Sequence, residues 1–317
     1  MAVMLKIIVI FIMIGVGVLL NRLDILPEES NLYVSRLVIL VGSPCLLFNA
    51  IVKKELTEET LIVTIEMVVC SIVFFICGTL ISYLIIRILN MKNDADAGVY
   101  MSLMTTINSS FMGFPVMQAA FGEDGLYLMI MGNIVFNIYL YSFGIIQIKY
   151  GKKEKESALE KVKVIFNPCI IASALGLFFM ISTIELPSLI MEPIMQIANI
   201  TVPLSMISVG MSIGGSSLFK IIENKKLIII CLTKMLLWPL LAFCVAIFLN
   251  IPDIVKCIVV MMSALPSSVS SGVLVRKLDK NANVASQGIV LSTLISVVTI
   301  PLIYMMLIQI FGEVSFV

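Results

Sequence analysis

Asn108, Ser109 and Ser110 precede Gly113 and Pro115, and Ser267, Ser268, Ser270 and Ser271 follow Pro266, in two stretches that are otherwise strongly apolar. These side chains offer amides and hydroxyls, which donate and accept hydrogen bonds without carrying charge. A proline within a helix removes a backbone donor and clashes one turn back, at a cost of roughly 3 kcal/mol, and lipid supplies no replacement partner. Breaks at 108–115 and 264–272 are therefore expected where protein or a wet cavity satisfies the freed carbonyls. A broken helix has two poles. The second half begins with free N–H groups of positive character, suited to an anion, and the first half ends in carbonyls, suited to a cation or a donor. Neither stretch contains lysine, arginine or histidine, so a carboxylate bound there would be held by dipoles and neutral donors.

The elements that must position these groups follow from composition. With 60% hydrophobic and 13% charged residues among 317, the chain has more apolar surface than a soluble protein of this size can bury. It reads as an all-α integral membrane protein, because the apolar runs reach the ~20 residues that cross ~30 Å of hydrocarbon and lack the short alternating strands of a barrel. Ten transmembrane helices are predicted at about 2–20, 33–52, 61–89, 97–121, 126–148, 164–184, 189–213, 227–249, 254–275 and 284–311. The first is kept as a mature span, since only Lys6 precedes its apolar run and no small-residue cleavage pattern stands before Asn21-Arg22.

Lysine and arginine set the orientation, because cationic loops resist translocation. The central loop alone holds Lys149, Lys152, Lys153, Lys155, Lys161 and Lys163, whereas the whole opposite side holds Lys6, Lys53, Lys54 and Lys256. Odd-numbered loops are thus expected in the cytoplasm and both termini outside. The central loop, 151–163, divides the chain into five-helix sets at 1–150 and 164–317. Five is odd, so the second set enters from the opposite side, giving two inverted repeats. Faint echoes agree: Ser43-Pro44-Cys45 in span two resembles Val202-Pro203-Leu204 in span seven, and the breaks fall in spans four and nine. Paired discontinuities of this kind point to a transporter binding site.

The run Asn108-x-x-Phe111-x-Gly113-x-Pro115, followed by Phe121-Gly122 and Gly125, resembles the fourth-helix signature of the auxin efflux carrier family, which includes plant auxin exporters and bacterial organic-anion carriers. Ala264-x-Pro266-Ser267-Ser268 resembles that family's ninth-helix crossover. The resemblance implies helices four and nine that unwind and cross at the bilayer centre, with the substrate site between a scaffold part and a moving part. Plant members carry a long hydrophilic loop between helices five and six. Here it is short, so a microbial relative fits better than an auxin exporter.

Other polar residues inside spans are secondary candidates. Asn137, with Asn49, Asn133 and Asn199, either faces a cavity or bonds between helices. Glu66 and Lys234 sit early in spans three and eight, counterpart positions in the two halves. Glu66 is the candidate carrier of a coupling proton, and snorkelling to an interface is the plain alternative for both. The chain has no histidine, which excludes zinc-protease motifs and serine-histidine triads. The seven cysteines lack metal-ligand spacing and read as packing residues. The lysine run from Lys152 alternates with acidic residues and serves topology rather than nucleic acid.

The expectation is a secondary active carrier of a small organic anion, a carboxylate, working by alternating access and not an enzyme. No cofactor is expected. Its site residues would be Asn108, Ser109, Ser110, Gly113, Pro115, Pro266, Ser267, Ser268, Ser270 and Asn137. The multi-pass chain would lie in a bacterial cytoplasmic membrane, in contact with lipid, with proton or sodium coupling and a homodimeric state both open. A sodium-coupled symporter or cation/proton antiporter of related architecture is one alternative. A ligand-binding membrane sensor that moves nothing is another.

Overall fold

A computed structural model describes residues 2–27, 29–150, 167–216, 221 and 223–312, with side chains from Leu5 onward. The central basic loop, 151–163, lies outside the described residues. Every regular element among them is helical. We label these α1 (Ala2–Arg22), α2 (Ser30–Val52), α3 (Glu58–Ile88), α4 (Ala97–Thr105), α5 (Phe114–Tyr139), α6 (Pro168–Ser182), α7 (Ser188–Gly214), α8 (Lys225–Phe248), α9 (Asp253–Ser263), α10 (Val269–Lys277) and α11 (Ala282–Phe311).

Caps fix several starts. Thr57 Oγ1 accepts from Thr60 N–H at 3.1 Å ahead of α3, Asn167 Oδ1 from Cys169 N–H at 2.9 Å ahead of α6, and Asn224 Oδ1 from Leu227 N–H at 3.1 Å ahead of α8. Among the described residues, seven stretches are long and apolar enough to cross a membrane. Ten spans were expected, and the difference has local causes. The fourth and fifth share one 52-residue run, Ala97–Ile148; α6 is described only from Pro168; and the ninth is divided into α9 and α10.

Proline is absorbed by widening. At Val38–Gly42, Ser109–Gly113 and Thr233–Leu237 the helix opens into one wide π-type turn, immediately before Pro44, Pro115 and Pro239. Ser43, Phe114 and Trp238 then donate to carbonyls five residues back, so the missing proline N–H strands less of the ladder. A fourth wide turn, Leu140–Gly144, carries α5 into the short helical piece Ile145–Ile148 without a proline.

Within α5 the chain reverses at Gly122, whose φ of 68° and ψ of −154° are open to glycine alone. The limbs on either side then pair in antiparallel order. Ser109 bonds to Asn133 at 2.5 Å, a Cβ on Gly113 would meet Met129 Cε at 2.8 Å, and one on Gly125 would meet the Met117 carbonyl at 2.6 Å.

Two extensive helix pairs are parallel instead. In α1 and α7, Gly17 and Gly210 bring the backbones so close that a Cβ on either would lie about 2 Å from a main-chain oxygen of the other helix, at 2.1 Å and 2.0 Å, and Asn21 follows onto Gly214. In α2 and α6, Cys169 lies by the Ile39 carbonyl, and Phe48 meets Phe179 edge-on at 5.9 Å. Aliphatic residues cover the outward faces, as in Ile62, Ile65 and Val69 of α3, where lipid takes the place of water.

Candidate functional site

The two breaks meet. Residues 106–108 and 266–268 are non-helical, and Asn108 N–H donates to the Pro266 carbonyl at 2.8 Å. The first break thus lies upstream of Pro115, which sits in the opening turn of α5, while Pro266 lies inside the second break. Asn108 carries the geometry. Its carbonyl accepts from Met112 and Gly113 and starts the next helical segment, and its side chain is 3% exposed with no hydrogen-bond partner for Nδ2. An unpartnered buried amide costs about 1–3 kcal/mol, which a bound acceptor would recover.

Ser267 N–H donates to Ser292 Oγ at 3.0 Å and its hydroxyl to the Leu103 carbonyl at 2.7 Å; Ser268 N–H points at Thr106 Oγ1 at 3.5 Å. These contacts stitch the second break to α11 and to the end of α4. Ser109 is buried and bonded to Asn133, while Ser110 and Ser270 are half-buried. Gly113 packs against Met129 and Leu265, and Pro115 is buried. Asn137 is set back from the contact: its amide donates to the Asn133 carbonyl at 2.9 Å and its Oδ1 accepts from Asn167 at 3.2 Å. Its link to the breaks runs through Asn133 and Ser109. Glu66, on α3, has Oε2 buried without a partner, and no hydrogen bond of the described residues joins it to the breaks.

Lys234 sits where the charge pattern alone did not place it. It is 2% exposed, so it does not snorkel, and its Nζ donates to the Leu103 carbonyl at 3.1 Å and to the Thr106 carbonyl. A second support is Gln147, which no local sequence pattern marks. It accepts from Thr105 at 2.8 Å and Tyr139 at 3.0 Å and donates to Ser82 at 2.9 Å. The end of α4 is therefore held by side chains from three other parts of the chain.

A small cavity of about 30 Å³ adjoins Asn108 and Val269, the residues that open the two second halves, and is closed by Ser35, Ser208, Ser212 and Thr293. Asn31 ties this wall together, donating to Ser212 at 2.8 Å and accepting from Ser208 at 2.9 Å, and Ser35 lies 2.7 Å from Ser208. Farther along α7 a vestibule of about 910 Å³ opens beside Asn49, Lys53, Gln118, Glu123 and Asn199, bridged by a 2.6 Å ion pair between Lys54 and Asp124. Pro203, in the vestibule wall, and Ser208 are five residues apart, about 7.5 Å on a helix.

The model of the family described as Membrane transport protein matches residues 2–304. The chain belongs to that family. This is the auxin efflux carrier family to which the fourth-span motif pointed. It is similar to an uncharacterized transporter of Methanocaldococcus jannaschii, 27% identical over 306 residues that cover 93% of this chain and 96% of the relative. A second uncharacterized transporter, from Methanothermobacter thermautotrophicus, is 27% identical over 297 residues, covering 92% and 94%. The chain is a multi-pass membrane transporter.

Proposed function

We propose that this transporter is a secondary active carrier of a small carboxylate, working by alternating access with the substrate at the meeting of the two breaks. The observation that carries the reading is Asn108, whose main chain bonds to Pro266 while its buried amide Nδ2 has no partner. Beside it, the first N–H groups after each break supply positive character without a formal charge. Such a site binds an anion weakly enough to release it.

The helix pairing supports two inverted five-helix repeats, 1–150 and 164–317. Exchanging the halves turns the parallel pair α1 and α7 into the parallel pair α6 and α2, so each is the counterpart of the other. In this reading α1, α2, α6 and α7 form a scaffold, and the vestibule and the Asn108 cavity lie along its boundary with the remaining helices. A cavity of about 30 Å³ holds little more than one water, so cargo enters when the boundary shifts. The vestibule lies on the side of Lys53 and Lys54, which the charge bias places outside together with both termini. Glu66 stays a candidate for coupling.

Counterflow into proteoliposomes tests this. Vesicles preloaded with a mono- or dicarboxylate should accumulate the labelled compound, and Asn108→Ala should lower that rate by about tenfold or more. Failure of every carboxylate tried, with intact protein, favours a sensor instead.

A further inference from the structure

Broken helices leave main-chain oxygens that must be matched, and here the matching is unequal. In a continuous helix the Leu103 carbonyl would accept from residue 107 and that of Thr106 from residue 110. The break removes both donors. Lys234 Nζ replaces them, donating to the two carbonyls, and the Ser267 hydroxyl adds a second donor on Leu103. Those two oxygens are the only hydrogen-bond partners of the ammonium among the described residues, and no carboxylate pairs with it.

A buried charge without a counter-ion is unstable unless dipoles compensate it. The C-terminal pole of α4 carries about half a negative charge directed at this position. Main-chain carbonyls at an unwound helix end, joined by a hydroxyl, are also the donor set that suits a small monovalent metal cation. The side chain of Lys234 therefore fills a cation position with a donor that is covalently attached and cannot diffuse away.

We propose that Lys234 is a tethered substitute for a bound metal ion, which makes carriage by this protein independent of sodium and other alkali cations. The proposal rests on the carrier reading above and deepens it: cargo moves without a co-transported metal ion because the carbonyl pole of the first break is permanently occupied. Shortening the side chain should vacate that position and let a free cation and its water enter.

The test is the melting temperature of the purified, detergent-solubilised full-length protein in sodium, potassium or choline chloride at one ionic strength, for wild type, Lys234→Ala and Lys234→Gln. Wild type should melt at the same temperature in all three salts. A folded Lys234→Ala protein should melt about 3 °C or more higher in sodium or potassium than in choline, saturably, because the ion binds only the native state. A saturable sodium or potassium stabilisation of wild type overturns the proposal, and so does a folded Lys234→Ala or Lys234→Gln protein indifferent to the salt. If neither variant folds, wild type decides through the same salt comparison and through carboxylate counterflow in choline medium, which should persist undiminished. Loss of all counterflow in every medium would defeat the carrier reading while leaving the melting comparison to judge Lys234.

Discussion

The two breaks share proline, serine and glycine but differ in chemistry. At the first, residues 106–108, the carbonyl end is held by an ammonium and a hydroxyl from elsewhere in the chain. At the second, Ala264 and Leu265 turn their own N–H groups back onto Val260, Met261 and Met262, and the Pro266 carbonyl takes Asn108 N–H. The carbonyls that end α9 are matched by nearby main-chain N–H groups, whereas those that end α4 depend on α8 and on the second break for their donors. The two breaks thus differ in their poles, one matched by a lysine side chain and the other by main-chain donors, and the second is where the proline lies within the extended segment.

That contrast can be broken most forcefully at Lys234. Lys234→Met removes the donor of the Thr106 carbonyl and should lower carboxylate counterflow by about 100-fold, with a stability loss of about 2 kcal/mol read in detergent unfolding. A variant that carries like wild type would show that the two poles are equivalent after all. Next in size is a glycine pair. Gly113→Ala sets a Cβ between Met129 Cε at 2.8 Å and Leu265 Cδ1 at 3.1 Å, while Gly272→Ala meets only Ile289 Cδ1 at 2.8 Å beside a half-buried helix start. Thermal unfolding should show a loss of about 1–2 kcal/mol for the first and under about 1 kcal/mol for the second. Ser267→Ala deletes the hydroxyl bond across the breaks and should cost about 1 kcal/mol by the same measurement.

The smallest effect belongs to the surface ahead of α4, where Lys226 donates to Asp94 at 2.5 Å. Burial pushes the Asp94 carboxyl up, but the Lys226 hydrogen bond, the Asp96 N–H and the Lys226 charge together hold it below its ordinary value. A carboxyl lowered by folding adds stability that is complete above about pH 4, the unfolded value, and is lost as pH falls through the folded one. Asp94→Asn should flatten only that acid limb of the melting curve. An effect near neutral pH would mean that the surface pair, and not the buried ammonium, distinguishes the first break.

Much of the fold could be read from the residues because lipid imposes one rule, an apolar run for each crossing, and the helices follow those runs closely. The prolines marked the disturbed helices but not the place of rupture. Pro115 is accommodated by the wide turn at Ser109–Gly113, so the chain opens earlier, at Thr106. Pro266 has no wide turn before it and lies in the opening itself. Lys234 was visible as an ionisable residue in a span, but its partners lie 131 and 128 residues away, a distance that no local pattern encodes. Gln147 and the wall of Asn31, Ser35, Ser208 and Ser212 escaped for the same reason. Isolated hydroxyls in membrane helices usually bond backwards to their own turn, as Ser212 also does to Ser208.

The most direct measurement is the carboxylate-dependent melting shift of purified wild type beside Asn108→Ala, across a panel of mono- and dicarboxylates. At least one compound should raise the wild-type melting temperature saturably, with a midpoint concentration at least about tenfold higher, or no shift, in the folded variant. An equal shift at equal concentration in both proteins would contradict it, because the ligand would then bind away from the meeting of the two breaks.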